Sequence, residues 1–273
     1  MIKIFTQPFA MLAILAALSF TPAYQPGGDQ APLCNIRNTS FKAGERVTMK
    51  VFYNALGGYI GAGEATFTTT LERFNGKPAY HFVGEGKTYS FFDNFFKVRD
   101  RYESYVDTNT LLPYKFIRNV DEGGHKIYNN ISFNQEANTA TTTKGVYKIT
   151  PCMQDVVSAV YYVRNIDFSK YKPGDKIPFD MFLDDEIFHM YVRYMGKEKV
   201  KTRYGKFNAI KIKPLLLKGN IFEGGEKMNA WISDDPNHLL LRVESPISVG
   251  KIIVDMFGYQ NLRYPLTSLI RLR

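Results

Sequence analysis

Apolar and polar residues alternate along most of this chain, as they do in β-strands that bury one face. The alternation is clearest at residues 47–53, 188–194, 210–213 and 252–257. Turn-forming pairs and triplets separate these runs: Asn75-Gly76, Glu122-Gly123-Gly124, Pro173-Gly174-Asp175, Tyr204-Gly205 and Asp235-Pro236-Asn237. Many short strands at this spacing predict an all-β, mostly antiparallel fold, in the form of a curved sheet or open barrel.

One segment breaks the alternation. Between residues 153 and 164, apolar residues fall at positions 153, 156, 157, 160 and 163, which is the spacing of one helix face. Asp155 and Arg164 would lie in the first and last turns, where each charge complements the helix dipole. The sequence therefore predicts one amphipathic helix, near 153–164, packed against the sheet.

The turns also suggest an internal repeat. Gly76-Lys77 has a counterpart in Gly205-Lys206, and other turn and strand residues recur at a similar separation. One interpretation is a pair of similar β halves, 41–150 and 165–260, joined by the helix within a single domain over 24–273. The alternative is coincidence, because Gly-Lys turns between strands are common.

The first 23 residues have the features of a secretory signal peptide. Lys3 supplies a positive start, residues 10–20 are almost entirely apolar, and Ala23 follows at a small-residue cleavage position. The apolar run is shorter than the roughly 20 residues of a membrane-spanning helix. We expect cleavage near Ala23 and a periplasmic or secreted protein.

Cysteine usage and charge fit that location. Cys34 and Cys152 are the two cysteines, and in an oxidising compartment they are expected to form a disulfide. The net charge of +9 comes from basic residues dispersed among the strands, which favours a solvated sheet surface and argues against nucleic acid. Peripheral contact with a membrane or cell wall stays open. The tail at 266–273 would either touch a membrane or fray.

Several phrases occur in an order that resembles the DUF3108 family of exported bacterial proteins. They are FKAGERVTMKVFY, GAGEATF, GKPAYHFVGEGKT, FFKVRDRYESYVD, LLPYKF, CMQDVVSAVYYVRN and GKFNAIKIKP, spanning residues 41–259. The resemblance implies an antiparallel β-rich exported protein, with a curved sheet like those of periplasmic lipoprotein carriers. It implies no activity and no catalytic residues.

The most informative polar position is Asp100. In the run VRDRYESYV it shares a strand face with Val98, Tyr102 and Val106, so its side chain is expected to point inward. A buried acid needs hydrogen-bond donors, or its pKa rises. Asp100 is therefore either a structural hydrogen-bond acceptor or a polar anchor for a ligand, with Tyr102 beside it.

Four phenylalanines surround a predicted turn at residues 93 and 94. Phe91, Phe92, Phe95 and Phe96 either cover the open end of the curved sheet as a core plug or form an exposed lip for a ligand. Together with Asp100 and Tyr102 they make up the predicted ligand-binding residues.

The remaining motifs indicate structural roles instead of metal or phosphate binding. His81, His125, His189 and His238 lack metal-ligand spacing, and the glycines at 57–63 precede a strand and so predict a hairpin or bulge. Asp180, Asp184, Asp185 and Glu186 lack EF-hand spacing and predict a solvated hairpin turn. We predict neither a metal nor another cofactor.

Three functions remain. The leading hypothesis is a non-enzymatic binder of a lipid or another apolar small molecule in the concave sheet. The alternative is a structural or assembly factor of the cell envelope that binds protein or cell-wall polymer. A hydrolase that pairs Asp100 with Glu103 or Asp107 is disfavoured, because Asp100 and Glu103 face opposite ways on a strand. The oligomeric state is not predicted.

Overall fold

The computed structural model describes residues 34, 36–55, 58–216, 225–247 and 250–273. The predicted signal peptide lies outside these residues. The strands are β1 (Arg46–Ala55), β2 (Gly58–Phe74), β3 (Lys77–Thr88), β4 (Val98–Asp107), β5 (Pro113–Glu122), β6 (His125–Asn134), β7 (Thr139–Thr142), β8 (Gly145–Lys148), β9 (Lys176–Leu183), β10 (Glu186–Lys201), β11 (Gly205–Pro214), β12 (Asn229–Ser233), β13 (Leu240–Pro246), β14 (Lys251–Gln260) and β15 (Leu269–Leu272). The helices are α1 (Ser90–Asp93), α2 (Val156–Arg164) and a 3-10 turn (Phe168–Lys170).

The described strands form one antiparallel sheet, as predicted. Its order is β8-β7-β6-β5-β4-β3-β2-β1-β14-β13-β12-β11-β10-β9, and β15 pairs with β11 beside this path. Each half of the chain is a meander of neighbouring strands, and the halves meet where β1 pairs with β14. The sheet curls but stays open between β8 and β9. The common ancestry of the two halves stays a prediction.

Alternation along the strands separates a buried concave face from a polar outer face. In β4 every second residue from Val98 to Val106 is buried, and the residues between them are partly or fully exposed. The register extends this face across the sheet, because Ala65 pairs with Gly86 and Gly86 pairs with Asp100. Side chains directly opposite on paired strands share a face. The bulge predicted within residues 57–63 is confirmed. Val51 pairs with Gly63 but Phe52 pairs with Gly61, so β2 has one extra residue at this point.

Helix α2 lies on the concave face instead of covering the sheet from outside. It contacts β3, β4 and β9, and most of its residues are buried. The Tyr161 ring stacks on the inward ring of Phe82 with centroids 3.6 Å apart. At the C-terminal end, the buried Arg164 guanidinium pairs with the Glu45 carboxylate at 2.5 Å. The helix therefore fills part of the concavity with the protein's own side chains.

The helix begins three residues later than the periodicity predicts. Asp155 caps it by accepting hydrogen bonds from the backbone N–H groups of Val157 and Ser158. Gln154 is extended and bridges to β9, where its N–H donates to the Asp180 carbonyl at 2.9 Å. Met153 is buried by this extended segment, so its apolar character has a different cause from helix periodicity.

Several contacts tie the chain ends and the open side of the sheet together. Cys34 and Cys152 form the predicted disulfide. The hairpin turn at Asp184 and Asp185 lies between β9 and β10 at the predicted place, but both carboxylates are paired, with Arg118 and Lys144 respectively. The turn is therefore partly solvated, and basic side chains from across the open side pair with its carboxylates.

The tail adds a strand, so the expectation that it frays is wrong. Leu269 pairs with Phe207 and Leu272 pairs with Gly205. None of the helices in the described ranges is long and apolar enough to cross a membrane.

Candidate functional site

Four inward-facing side chains on neighbouring strands form what we call the interior polar cluster: Asp100, Tyr102, Arg118 and Glu122. β4 supplies the first two and β5 the others. Tyr102 is directly opposite Arg118, while Asp100 is opposite Val120, so Glu122 lies diagonally across from Asp100 on the same face. Strand alternation therefore brings two carboxyl groups, a phenol and a guanidinium together in the concave interior.

Three members of this cluster carry buried oxygen atoms that have no hydrogen bond. Asp100 is 4% exposed and Tyr102 is 1% exposed. Both carboxyl oxygens of Asp100, the Tyr102 hydroxyl and Oε1 of Glu122 are buried with no hydrogen-bond partner. A buried polar group without a partner costs about 1–3 kcal/mol, so natural proteins keep few of them. The expected structural acceptor role for Asp100 therefore lacks its donors.

The pKa values of the cluster are strongly perturbed. Burial, followed by repulsion from the Glu122 carboxylate, raises the pKa of Asp100 to about 8. Burial also raises the pKa of Glu122, and the positive charge of Arg118 opposes the shift. Burial, with the Asp100 charge second, raises the pKa of the Tyr102 hydroxyl well above its usual value. At neutral pH, the two carboxyl groups therefore retain a proton between them.

The positive charge of Arg118 is shared with groups other than Asp100 and Glu122. Its Nε donates to Asn129 Oδ1 at 2.6 Å, and Nη2 bonds the Asp184 carboxylate at the β9–β10 turn. Arg118 is 1% exposed, whereas the Asp184 side chain is 34% exposed, so this pair joins the interior of β5 to the partly solvated β9–β10 turn. The cluster is thereby held between the two edges of the open barrel.

The phenylalanine segment covers the end of the sheet nearest this cluster. Its four rings divide between the two predicted roles, core plug and exposed lip. Instead of the predicted tight turn, residues Ser90–Asp93 form the one-turn helix α1. Phe92 and Phe96 are buried and belong to the core, whereas Phe91 and Phe95 are 64% and 68% exposed. The exposed pair of rings is in contact, with centroids 5.5 Å apart. Two rings therefore serve as a plug and two form a lip.

Below the cluster, the N-terminal end of α2 closes the interior. Asp155 is fully buried and accepts a hydrogen bond from Ser104 Oγ at 2.5 Å. Burial raises the pKa of Asp155 to about 6, although hydrogen bonds from Ser104 and the helix backbone oppose the shift. The interior polar cluster thus lies between the helix cap and the phenylalanine plug.

The acid pairs considered for hydrolysis do not form. Glu103 is on the outer face, where its carboxylate bonds the His81 ring at 2.9 Å and the Arg101 guanidinium. Asp107 bonds the Tyr114 hydroxyl and turn N–H groups. Across the described ranges, no three His, Cys, Asp or Glu side chains are grouped so as to hold a metal ion.

Sequence reasoning found half of the cluster and missed Arg118 and Glu122. A signal was available, because both residues share a strand face with the buried Phe116 and Val120. Charged residues at alternate positions among apolar ones mark an inward polar group, as they do for Asp100.

The fold and site define a class: a curved antiparallel sheet wound around one helix, with a polar cluster in its interior. The family model DUF3108, described as a protein of unknown function, matches residues 39–256. The chain belongs to this family, as its phrases indicated.

One solved structure shows the same fold class, and two more distant ones are also similar in part. A β-barrel-like protein of the DUF1849 family from Brucella abortus is similar with a TM-score of 0.55 and 8% identity, covering 81% of this chain and 99% of that chain. A candidate lipoprotein from Parabacteroides distasonis has a TM-score of 0.37 and 14% identity, covering 85% and 100%. A candidate exported protein from Bacteroides fragilis has a TM-score of 0.32 and 12% identity, covering 84% and 100%. No curated protein matches the chain.

Proposed function

We propose that this protein is a non-catalytic binding protein of the cell envelope that holds an amphipathic ligand in its concave interior. The polar end of the ligand hydrogen-bonds Asp100, Tyr102 and Glu122, and its apolar part lies among the inward side chains. The observation that carries the proposal is the set of buried oxygens in this cluster without protein partners. A ligand that supplies the missing hydrogen bonds removes their energetic cost.

The residues beside Asp100 on the β3 side of the sheet are small. Its neighbour in the register is Gly86, and the next residue in the row is Ala65, so two small residues lie beside the carboxyl group. Small inward residues allow a ligand to approach the backbone closely. With one proton kept between Asp100 and Glu122, the pair can both donate and accept hydrogen bonds, which suits a hydroxyl, amide or ester head group.

Helix α2 limits the depth of the site. Because the helix fills the concavity beside Ser104 and Phe82, the ligand occupies only the region between the Asp155 cap and the Phe92–Phe96 plug. The exposed rings of Phe91 and Phe95 at that end give an acyl chain an apolar path. Each buried methylene group contributes about 0.8 kcal/mol.

The location follows from two features. The disulfide between Cys34 and Cys152 is typical of proteins outside the cytoplasm. The leader predicted for residues 1–23 directs export.

The proposal is tested by native mass spectrometry of protein purified from the periplasm, followed by solvent extraction of the bound compound. We expect the wild-type mass to exceed that of the mature chain and the extract to contain an acyl compound. Tyr102→Phe and Asp100→Asn should lose most of the bound compound, and the melting temperature of Tyr102→Phe should stay at or above that of the wild type because it removes a buried hydroxyl that has no partner. An unliganded wild-type mass would refute the proposal.

The matched control is Tyr105→Phe. Tyr105 is on the outer face of the same strand, where its ring stacks on His81 with centroids 4.2 Å apart. This variant removes the same hydroxyl group from the other side of the sheet, so it should retain the bound compound. Equal loss of the compound from both tyrosine variants would contradict an interior site.

A further inference from the structure

A second candidate site lies on the outer face of the sheet, away from the interior polar cluster. It is an open cleft of about 510 Å³ between β1, β2, β14 and the β10–β11 turn. This volume falls in the range of small-molecule sites, about 300–1,000 Å³. The cations that line the cleft are Lys50, Arg203 and Arg273, and none of the described residues that line it is Asp or Glu.

The two cations on the sheet side of the cleft rest on aromatic rings instead of carboxylates. The Arg203 guanidinium carbon is 4.1 Å from the centroid of the Phe52 ring, and Lys50 Nζ is 3.5 Å from the centroid of the Phe257 ring. Such contacts contribute about 0.5–1 kcal/mol at exposed sites and leave the positive charge in place. Within the described part of the chain, neither side chain has an ion-pair partner.

Nearby acids offset this charge only in part, because their carboxylates also pair with other cations. Glu64, opposite Lys50 in the β1–β2 register, pairs with Lys87 at 3.0 Å. Asp255, opposite Lys50 on the other side, is 3.2 Å from the Arg242 guanidinium and accepts a hydrogen bond from the Arg203 backbone.

The surroundings of the cleft add to its positive potential. The β10–β11 hairpin end and β15 carry further basic residues that have no carboxylate partner among the described residues. These are Lys199, Lys201, Lys206 and Arg271. Summed charges of one sign around a cleft concentrate anions there.

A glycine makes room between two rings in the cleft. An added Cβ at Gly61 would lie 3.8 Å from Tyr89 Cε2 and 3.9 Å from Phe52 Cε1. The rings of Phe52 and Tyr89 therefore flank a gap in which an added methyl group would contact both. At the rim, Tyr59 and Ile60 are each 50% exposed, which extends an apolar surface beside the cations.

From these observations we infer that the outer cleft binds a phosphate ester, with the phosphate on Lys50 and Arg203 and its organic part between the rings of Phe52 and Tyr89. The planar guanidinium fork matches phosphate oxygens, and a lysine adds a point charge. Phosphate esters of this kind occur both in phospholipid head groups and in soluble glycerol or sugar phosphates. This site is independent of the interior ligand proposed above.

The experiment measures binding of the mature protein to two probes. One probe is vesicles of phosphatidylcholine with phosphatidylglycerol, compared with phosphatidylcholine alone, by co-sedimentation; the other is glycerol 1-phosphate, by calorimetry. Binding to the mixed vesicles assigns the site to a lipid head group, and binding to the soluble ester assigns it to a free phosphate ester. Failure to bind either probe overturns the inference.

Variants then locate the binding. Lys50→Gln and Arg203→Gln should each weaken binding by about tenfold or more, since each removes a charge-assisted hydrogen bond. Gly61→Leu should also weaken it, because it fills the gap between the rings without changing the charge. Lys126→Gln is the control, since it removes an exposed charge on the distant strand β6. If the control weakens binding as much as Lys50→Gln does, or Gly61→Leu has no effect, the cleft is not the site.

Discussion

The substitution Asp100→Asn tests the electrostatic account of the interior directly. It exchanges a buried carboxyl group for an uncharged amide of nearly the same shape, so packing is little changed. Burial raises the pKa of Asp100 from 3.8 to about 8 in the folded protein, and its ionisation therefore works against folding. The amide cannot ionise, and the variant is free of this effect at any pH.

The sign and size follow from proton linkage. An acid whose folded pKa is raised contributes stability that is fully present below its unfolded pKa and is lost as the pH rises through its folded pKa. For Asp100 this window runs from 3.8 to about 8. At about 1.4 kcal/mol for each pKa unit, the wild type should lose roughly 4 kcal/mol relative to the variant between pH 5 and pH 9.

The assay is urea unfolding of both proteins at pH 5, 7 and 9, with the disulfide oxidised throughout. A buried amide without partners lowers the stability of the variant equally at all three pH values. The test is therefore how the difference in the free energy of unfolding between wild type and variant changes with pH. Glu85→Gln is the matched control, because its carboxyl group is 55% exposed on the outer face of β3. Parallel curves for wild type and Asp100→Asn would refute the reasoning.

Three further predictions concern stability, each measured by urea unfolding. Glu45→Gln should cost about 3–5 kcal/mol, because it leaves the buried Arg164 charge without its partner; a loss below about 1 kcal/mol would contradict the buried pair. Cys34→Ser should cost roughly 2–5 kcal/mol by freeing a long loop in the unfolded chain, and unchanged stability in non-reducing buffer would argue against the disulfide. Gly123→Ala should cost about 1–3 kcal/mol, since its φ is +62° and the new Cβ would lie 2.2 Å from the Phe96 ring; a neutral result would mean that this ring is not fixed there.

Local features of the fold could be predicted from the sequence because they depend on neighbouring residues. Period-two alternation identified the first half of β10, and the acidic residues before it indicated the hairpin turn at Asp184. It also placed Asp100 and Tyr102 on the buried face of β4. The helix start was wrong, because Gln154 pairs with β9, and a pairing with a distant strand leaves no trace in helical periodicity.

Taken by itself, the sequence determined the β-rich class, the strands with the clearest alternation, the buried face of β4, and that two cysteines were available to pair. Only the tertiary structure decided which strands are neighbours, and hence that Glu122 lies beside Asp100, that Arg118 meets Asp184 across the open side, and that Arg203 rests on Phe52. The physical reason is range. Alternation is set within a few residues, whereas strand order and curvature follow from burying the whole concave face around α2 at once.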